Sequence, residues 1–216
     1  LEGVLDRPLL AEKPMWRLFR SEREQEAWER RRVDPAYSAY LGERLEPTSL
    51  APPFRAPDGG FIQLQTGYLD TTNLLGGMQE YLLAQGRYHR TSLNYAAIEP
   101  DETGVSFQGI RCRQAIFCEG YKAQSNPWFD WLPFQPVKGE ILSLKIDTPL
   151  PDAIINAGKW LMPREGNEYR LGATYDREQL DEQPTEAGRN ELIATLTQLF
   201  SSSPPFRVME QKAGIR

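Results

Sequence analysis

From Pro136 to Ile146 the chain runs Pro-Val-Lys-Gly-Glu-Ile-Leu-Ser-Leu-Lys-Ile, with Leu142, Leu144 and Ile146 on every second position. That period puts three aliphatic side chains on one face of an extended strand and Ser143 and Lys145 on the other, so a second layer has to cover one side of a sheet. Ahead of it, the run Ala115-Ile116-Phe117-Cys118 stops at Glu119-Gly120 and gives way to polar residues and then to an aromatic, proline-rich segment. A short apolar run ended by glycine predicts a buried strand closing on a turn where backbone approaches a neighbour or a ligand. One element closes a buried sheet; the next opens an amphipathic one.

The chain has 216 residues, 40% of them hydrophobic, enough for one substantial core or two modest ones. A formal net charge of -5 argues against the clustered basic surface that phosphate binding draws on, so no nucleic-acid partner is expected. Arg30, Arg31 and Arg32 follow Glu22, Glu24, Glu26 and Glu29 on one helix and read as a solvated, salt-bridged face. No apolar run approaches the ~20 residues that span a bilayer, and the N-terminus shows no signal-peptide pattern, which predicts a cytoplasmic protein without membrane contact. Cys112 and Cys118 on one regular strand would lie about 20 Å apart, too far to bridge, and are expected to be reduced and structural. The single histidine, His89, has no cysteine or carboxylate at ligand spacing, so neither a metal site nor a nucleophile–histidine device is expected.

Along the chain, residues 1 to 14 carry little signal beyond a turn near Lys13-Pro14. Residues 15 to 20 mix aromatics and arginines and suit a strand whose arginines point to solvent or toward an anionic ligand. Ser21 and Glu24 form a capping box that starts a helix running to about Arg32, and Asp34-Pro35 ends it. The proline-rich stretch from 36 to 60 reads as irregular connection. Phe61 to Gln65 alternates as a strand. A helix follows Asp70, with Leu74, Leu75, Met78, Tyr81 and Leu82 as a core-facing stripe, and ends at Gly86. Residues 88 to 93 form the next strand, and 94 to 98, 104 to 110 and 111 to 118 form a meander returning to the buried strand. Strands are predicted at 153 to 156, 159 to 163, 168 to 175 and 207 to 211. Thr185 opens a helix whose apolar face is Leu192, Ile193, Leu196, Leu199 and Phe200.

These residues carry a resemblance. Gly67-Tyr68-Leu69-Asp70 before a helix and meander, Cys118-Glu119-Gly120, Pro136-Val137-Lys138-Gly139-Glu140, Trp160-Leu161-Met162-Pro163-Arg164, Leu171-Gly172-Ala173-Thr174 and Ala213-Gly214-Ile215-Arg216 follow one another as in the D-amino-acid oxidase and glycine oxidase family. The resemblance implies an α+β fold. A mixed or antiparallel substrate-domain sheet with flanking helices would be built from residues 1 to 65 and 128 to 216, and residues 66 to 127 would be part of an FAD domain. It implies oxidation of a small amine or amino acid by hydride transfer to flavin, with no side-chain general base. Cys118, Glu119 and Gly120 match the Ala-x-Gly segment whose backbone passes FAD, and Tyr95 falls near the adenine. Arg216 matches the arginine that pairs with a substrate carboxylate, and Trp160 and Arg164 lie on the strand facing the substrate side.

Against the resemblance stands a missing feature. The Gly-x-Gly-x-x-Gly turn that holds the FAD pyrophosphate has no counterpart, since Gly59-Gly60 and Gly76-Gly77 lack its spacing. An internal fragment is therefore expected, lacking the first FAD-binding segment and the last, with FAD bound by the parent and not retained by this chain. Other readings stay open: Gly120 as a plain strand-end turn, Arg216 and Arg164 as surface charges, Trp160 as a core aromatic, and Trp128, Phe129, Trp131 and Phe134 as the cap of a core. At the level of function the alternatives are an inert folding or binding unit, and a parent acting on another secondary amine such as a modified nucleobase.

Overall fold

The computed structural model describes residues 1–50 and 53–216. In chain order its first half holds helix α1 (Glu2–Leu5), strands β1 (Leu10–Glu12) and β2 (Met15–Leu18), helix α2 (Glu22–Arg32), strand β3 (Leu41–Leu45), helix α3 (Pro47–Leu50), strands β4 (Gly60–Gln63) and β5 (Gly67–Leu69), and helix α4 (Thr71–Ala84). Strands β6 (Ile98–Asp101), β7 (Gly104–Phe107), β8 (Ile110–Cys112), β9 (Lys138–Ile146), β10 (Ile154–Asn156), β11 (Trp160–Pro163) and β12 (Glu168–Gly172) follow, then helix α5 (Glu186–Leu199) and strand β13 (Phe206–Ile215). The fold is α+β. Eight strands form one mixed sheet in the order β13-β9-β12-β11-β10-β2-β4-β3, parallel only between β10 and β2. The pair β1–β5 and the meander β6-β7-β8 lie outside it. No described helix is long and apolar enough to cross a membrane.

Strand β9 carries the alternation the sequence predicts: Leu142, Leu144 and Ile146 are buried, while Ile141, Ser143 and Lys145 are only partly covered. The covering layer is α5. Thr185 caps it by accepting the Gly188 N–H at 3.0 Å, and Leu192, Leu196, Leu199 and Phe200 pack onto the sheet beside Leu161, Leu171, Phe54 and Leu18. Each such leucine stabilises the fold by about 1.5–3 kcal/mol relative to exposure. Glu140 ties β9 to the start of α5: its carboxylate accepts the Thr185 N–H (2.9 Å), the Thr185 hydroxyl (2.6 Å) and Gln211 Nε2 (2.6 Å). An acid at a helix N-terminus meets unpaired N–H groups and the positive end of the helix dipole. The helix approaches so closely that a Cβ on Gly188 would lie 2.6 Å from the carboxylate.

The other two long helices begin where the sequence predicts. Ser21 accepts the Glu24 N–H, and the Glu24 carboxylate reaches back to the Arg20 N–H. Asp70 accepts the Asn73 N–H at 3.0 Å, and Gly86, at φ +65°, stands just past the end of α4. The arginines of α2 are less fully paired than expected. Arg32 meets Glu29 at 3.4 Å, but Arg32 and Arg31 also lie over the rings of Trp28 and Tyr37.

Other expectations are corrected. Residues 115 to 118 form no strand, and Ile116 is 86% exposed; a four-residue apolar run becomes a buried strand only where neighbours pair with it, and no described strand does. Strand β8 stops at Cys112, so the cysteines share no strand; both are free, and both are exposed rather than buried structural residues. Residues 88 to 93 are irregular, and 94 to 98 begin with a 3₁₀ turn because the Asn94 side chain accepts the Ala96 N–H, a local bond that competes with a ladder. The stretch from 36 to 60 contains β3 and α3, with Ala51 and Pro52 outside the described residues. The stripe on α4 does not face a core: only Gly77 is buried, and Leu75 is 69% exposed.

Candidate functional site

The second face of the large sheet, opposite α5, carries the residues of interest. Ile141 alternates with buried Leu142 and so points away from α5, and its register partners share that face. The row runs Lys212, Ile141, Gly172, Trp160, Asn156, Arg17, Phe61. Gly139 and Gly214 pair one step further along β9 and β13. Where β13 ends, Arg216 exchanges backbone hydrogen bonds with Val137 at 3.0 and 2.9 Å. Its guanidinium crosses Gly139, where a Cβ would lie 2.6 Å from Nη1, and rests over the ring of Tyr175 at 5.7 Å. No carboxylate pairs with Arg216 among the described residues.

Beside this arginine lies a cavity of about 720 Å³ lined by Cys118, Glu119, Gly120, Tyr121, Phe134, Gln135, Pro136, Ile215 and Arg216. Two segments nearly a hundred residues apart thus meet on one opening. Gly120 has φ +58°, the left-handed region that favours glycine, and a Cβ there would meet nothing within 4 Å, so its backbone is open to a ligand. Glu119 turns its carboxylate into the protein: Tyr95 OH donates to Oε1 at 2.6 Å and Asn126 Nδ2 to Oε2 at 2.8 Å. The Glu119 hydrogen bond pushes the Tyr95 phenol up, because ionising it would place a second anion beside the first. Asn126 is fully buried and uses its Oδ1 to accept the Trp128 N–H. Trp128 in turn meets Tyr95 edge-on and Phe117 at 5.6 Å. The aromatic segment therefore steadies the 117–120 loop; Phe134 reaches the cavity and Trp131 stays exposed.

Trp160 packs against Gly172 and Ile141. A Cβ on Gly172 would lie 2.6 Å from its ring, so the indole lies across the glycine, partly exposed, instead of joining the core on the other face. By strand spacing and rise, Trp160 stands about 10–12 Å from Gly139, a gap that suits a small molecule. Arg164 is not part of this grouping. It sits about 13 Å further along β11, over the Tyr68 ring at 4.7 Å and 3.7 Å from Asp70, joining the sheet to the start of α4.

Three contributors escape the sequence reading. Tyr175 supports Arg216 and accepts a hydrogen bond from Arg177 Nη2 at 3.2 Å, which holds its phenol below the ordinary value. Gly139 makes room for the guanidinium, and Asn126 anchors Glu119. Gly139 and Tyr175 stand inside or beside the quoted motifs, so a signal was present; Asn126, in a polar stretch, offered none. No group of three or more His, Cys, Asp or Glu among the described residues is placed to hold a metal ion. The open Gly120 backbone, the inward-turned Glu119 and the cavity volume fit one wall of an FAD site.

The fold has known counterparts. Glycine oxidase from Geobacillus kaustophilus superposes with a TM-score of 0.77 at 18% identity, over 100% of this chain and 62% of that one. Glycine oxidase from Bacillus cereus gives 0.76 at 17%, over 100% and 63%. Iminodiacetate oxidase from Chelativorans sp. BNC1 gives 0.71 at 17%, over 100% and 64%. The chain thus spans less than two thirds of the length of these enzymes. At such identities the likeness speaks for the fold alone, whereas the family model described as FAD dependent oxidoreductase matches residues 6–216. The chain belongs to the FAD dependent oxidoreductase family.

Proposed function

We propose that these 216 residues form the substrate-facing part of an enzyme that oxidises a small amine or amino acid with FAD. The observation that carries this is the meeting of the Cys118-Glu119-Gly120 loop with the unpaired Arg216 guanidinium on one cavity. FAD, when bound, supplies the acceptor for the hydride leaving the substrate's α-carbon. The protein's part is to bind and orient. Arg216 offers a planar fork to a carboxylate, which fixes two oxygens at once. Tyr175 holds that fork from behind. Trp160 closes the far side and limits the length of the substrate, and Gly120 lets a flat cofactor lie against backbone. Tyr95 and Asn126 keep the Glu119 carboxylate from facing the cofactor's own negative charge.

Residues in the Gly-x-Gly-x-x-Gly spacing are not found in this chain, so the main FAD pyrophosphate contacts belong to other residues and the 216-residue chain alone is expected not to retain the cofactor. Mixing it with excess FAD, removing free cofactor by gel filtration and recording the visible spectrum tests that part; a retained flavin band would overturn it. For the chemistry, a protein carrying these residues together with a dinucleotide-binding segment would be supplied with amino acids and secondary amines and its flavin bleaching followed without oxygen. Bleaching by an amino acid that Arg216→Met weakens at least tenfold supports the reading. Equal bleaching by the decarboxylated amine would refute the carboxylate role.

A further inference from the structure

The geometry points to a second small-molecule site, one that takes a planar aromatic carboxylate, under helix α2. It does not rest on the function proposed above. The row that carries Trp160 continues through Asn156 to Arg17 and Phe61, and there α2 and the segment after it enclose a cavity of about 430 Å³, within the range of small-molecule pockets. It shares no residue with the Arg216 cavity and lies five strands away, on the order of 20 Å.

Its walls are aromatic. Trp28 stacks on Phe61 at 5.8 Å, Phe19 meets both rings, and Tyr37 and Tyr40 stand half exposed at the rim. Faces of this kind favour a flat partner. Within this apolar frame Trp28 is only 3% exposed, and its indole N–H is the one buried side-chain polar atom without a hydrogen-bond partner among the described residues. That N–H is sealed from the cavity as well as from solvent, so Trp28 contributes its ring to the wall and not its donor. Charge supplies the second observation. Arg17 and Arg31 line the cavity, and neither has a carboxylate within 4 Å among the described residues. The lining carboxylate, Glu24, is taken up by the Arg20 guanidinium and N–H. Two guanidiniums without a carboxylate partner and flat apolar walls together select a planar body bearing an anionic group. The ring lies against the aromatic wall beside Tyr37 and Tyr40, and the carboxylate meets Arg17 and Arg31.

Naphthalene-2-carboxylate is the probe. In the ¹⁵N-labelled chain the five tryptophans give five indole signals, and Trp28→Phe assigns the one of interest. On titration the Trp28 N–H signal is expected to shift under the ring current of the bound probe and to saturate. Arg17→Gln and Arg31→Gln, both at exposed positions, each weaken binding about tenfold, while Arg216→Gln leaves it unchanged. The neutral naphthalene-2-carboxamide binds at least tenfold less tightly. The other four indole signals report that each variant is folded. A Trp28 signal that stays put at saturating solubility of the probe overturns the proposal. So does equal binding of the carboxamide, or binding that depends on Arg216 and not on Arg31.

Discussion

Gly139 is the residue on which the placement of Arg216 turns. A methyl there would lie 2.6 Å from Nη1, and because that atom ends a flexible side chain, the guanidinium would swing aside and the backbone would stay. Gly139→Ala is therefore expected to raise KM for a carboxylate substrate of the FAD-loaded enzyme about tenfold, the worth of one charge-assisted hydrogen bond, with thermal stability little changed. A large fall in stability with KM unaltered would show that the glycine serves packing alone. Its neighbour Lys138 tells a different story. Its side chain is buried and meets the half-exposed Asp181 at 2.6 Å. The hydrogen bond from Lys138, with further ones from Gln179 and the Gln183 N–H, holds the Asp181 carboxyl at about 2. That lies below the value of about 3.9 for an unfolded aspartate, so the folded state binds fewer protons over this interval. The pair's contribution is complete above about pH 5 and is lost as pH falls through about 2. In urea titrations the gap between the wild type and Asp181→Asn should hold steady near neutrality and close between about pH 4 and 2. A gap that persists at the acid end would mean that Asp181 acts through something other than its charge.

At the scale of elements, the junction of β9 with α5 shows why some of the fold was legible. Thr185 predicts a cap and Leu192, Leu196 and Leu199 a face, and these local signals agree with the alternation of Leu142, Leu144 and Ile146. What the pattern did not show is that Glu140 would supply the acid for that helix from 45 residues away, because the contact is tertiary and neither residue marks the other. The same limit applies to the site. Motifs singled out Arg216, Gly120 and Glu119, which line one cavity, but that Glu119 turns inward depends on Asn126 and Tyr95, which only folding brings near. Residues 115 to 118 misled for the opposite reason: their composition is that of a buried strand, and the partner strands are not among the described elements. The junction can be tested. Glu140 is held by three hydrogen bonds and cannot retreat, so Gly188→Ala should destabilise the chain by about 1–3 kcal/mol, as overpacking does. Thr185→Ala should cost about 1 kcal/mol, as loss of a cap does. Both are read from urea midpoints, and a neutral Gly188→Ala would show that α5 can lift from β9 freely.

Over the whole molecule, burial is uneven. The continuous core draws on β2, β3 with the residues that follow it, the strands β9 to β12, and α5, and contains no residue between 57 and 141. Within that interval α4 buries only Gly77, strand β8 is exposed along its length, and Ile116, Leu93 and Leu83 face outward. Local opening costs least where few apolar groups leave water. Hydrogen exchange should therefore divide the chain in two, with β9, β12 and α5 protected to the global unfolding limit and residues 71 to 118 exchanging faster by orders of magnitude. Two substitutions sharpen the contrast. Leu196→Ala, in the core, should cost about 2–5 kcal/mol. Leu75→Gln, on the open face of α4, should change stability by no more than about 0.5 kcal/mol. Protection of α4 equal to that of α5, or a core-sized penalty at Leu75, would mean that α4 is covered in solution, and the apolar face it presents would then have to be counted among the surfaces that hold this molecule together.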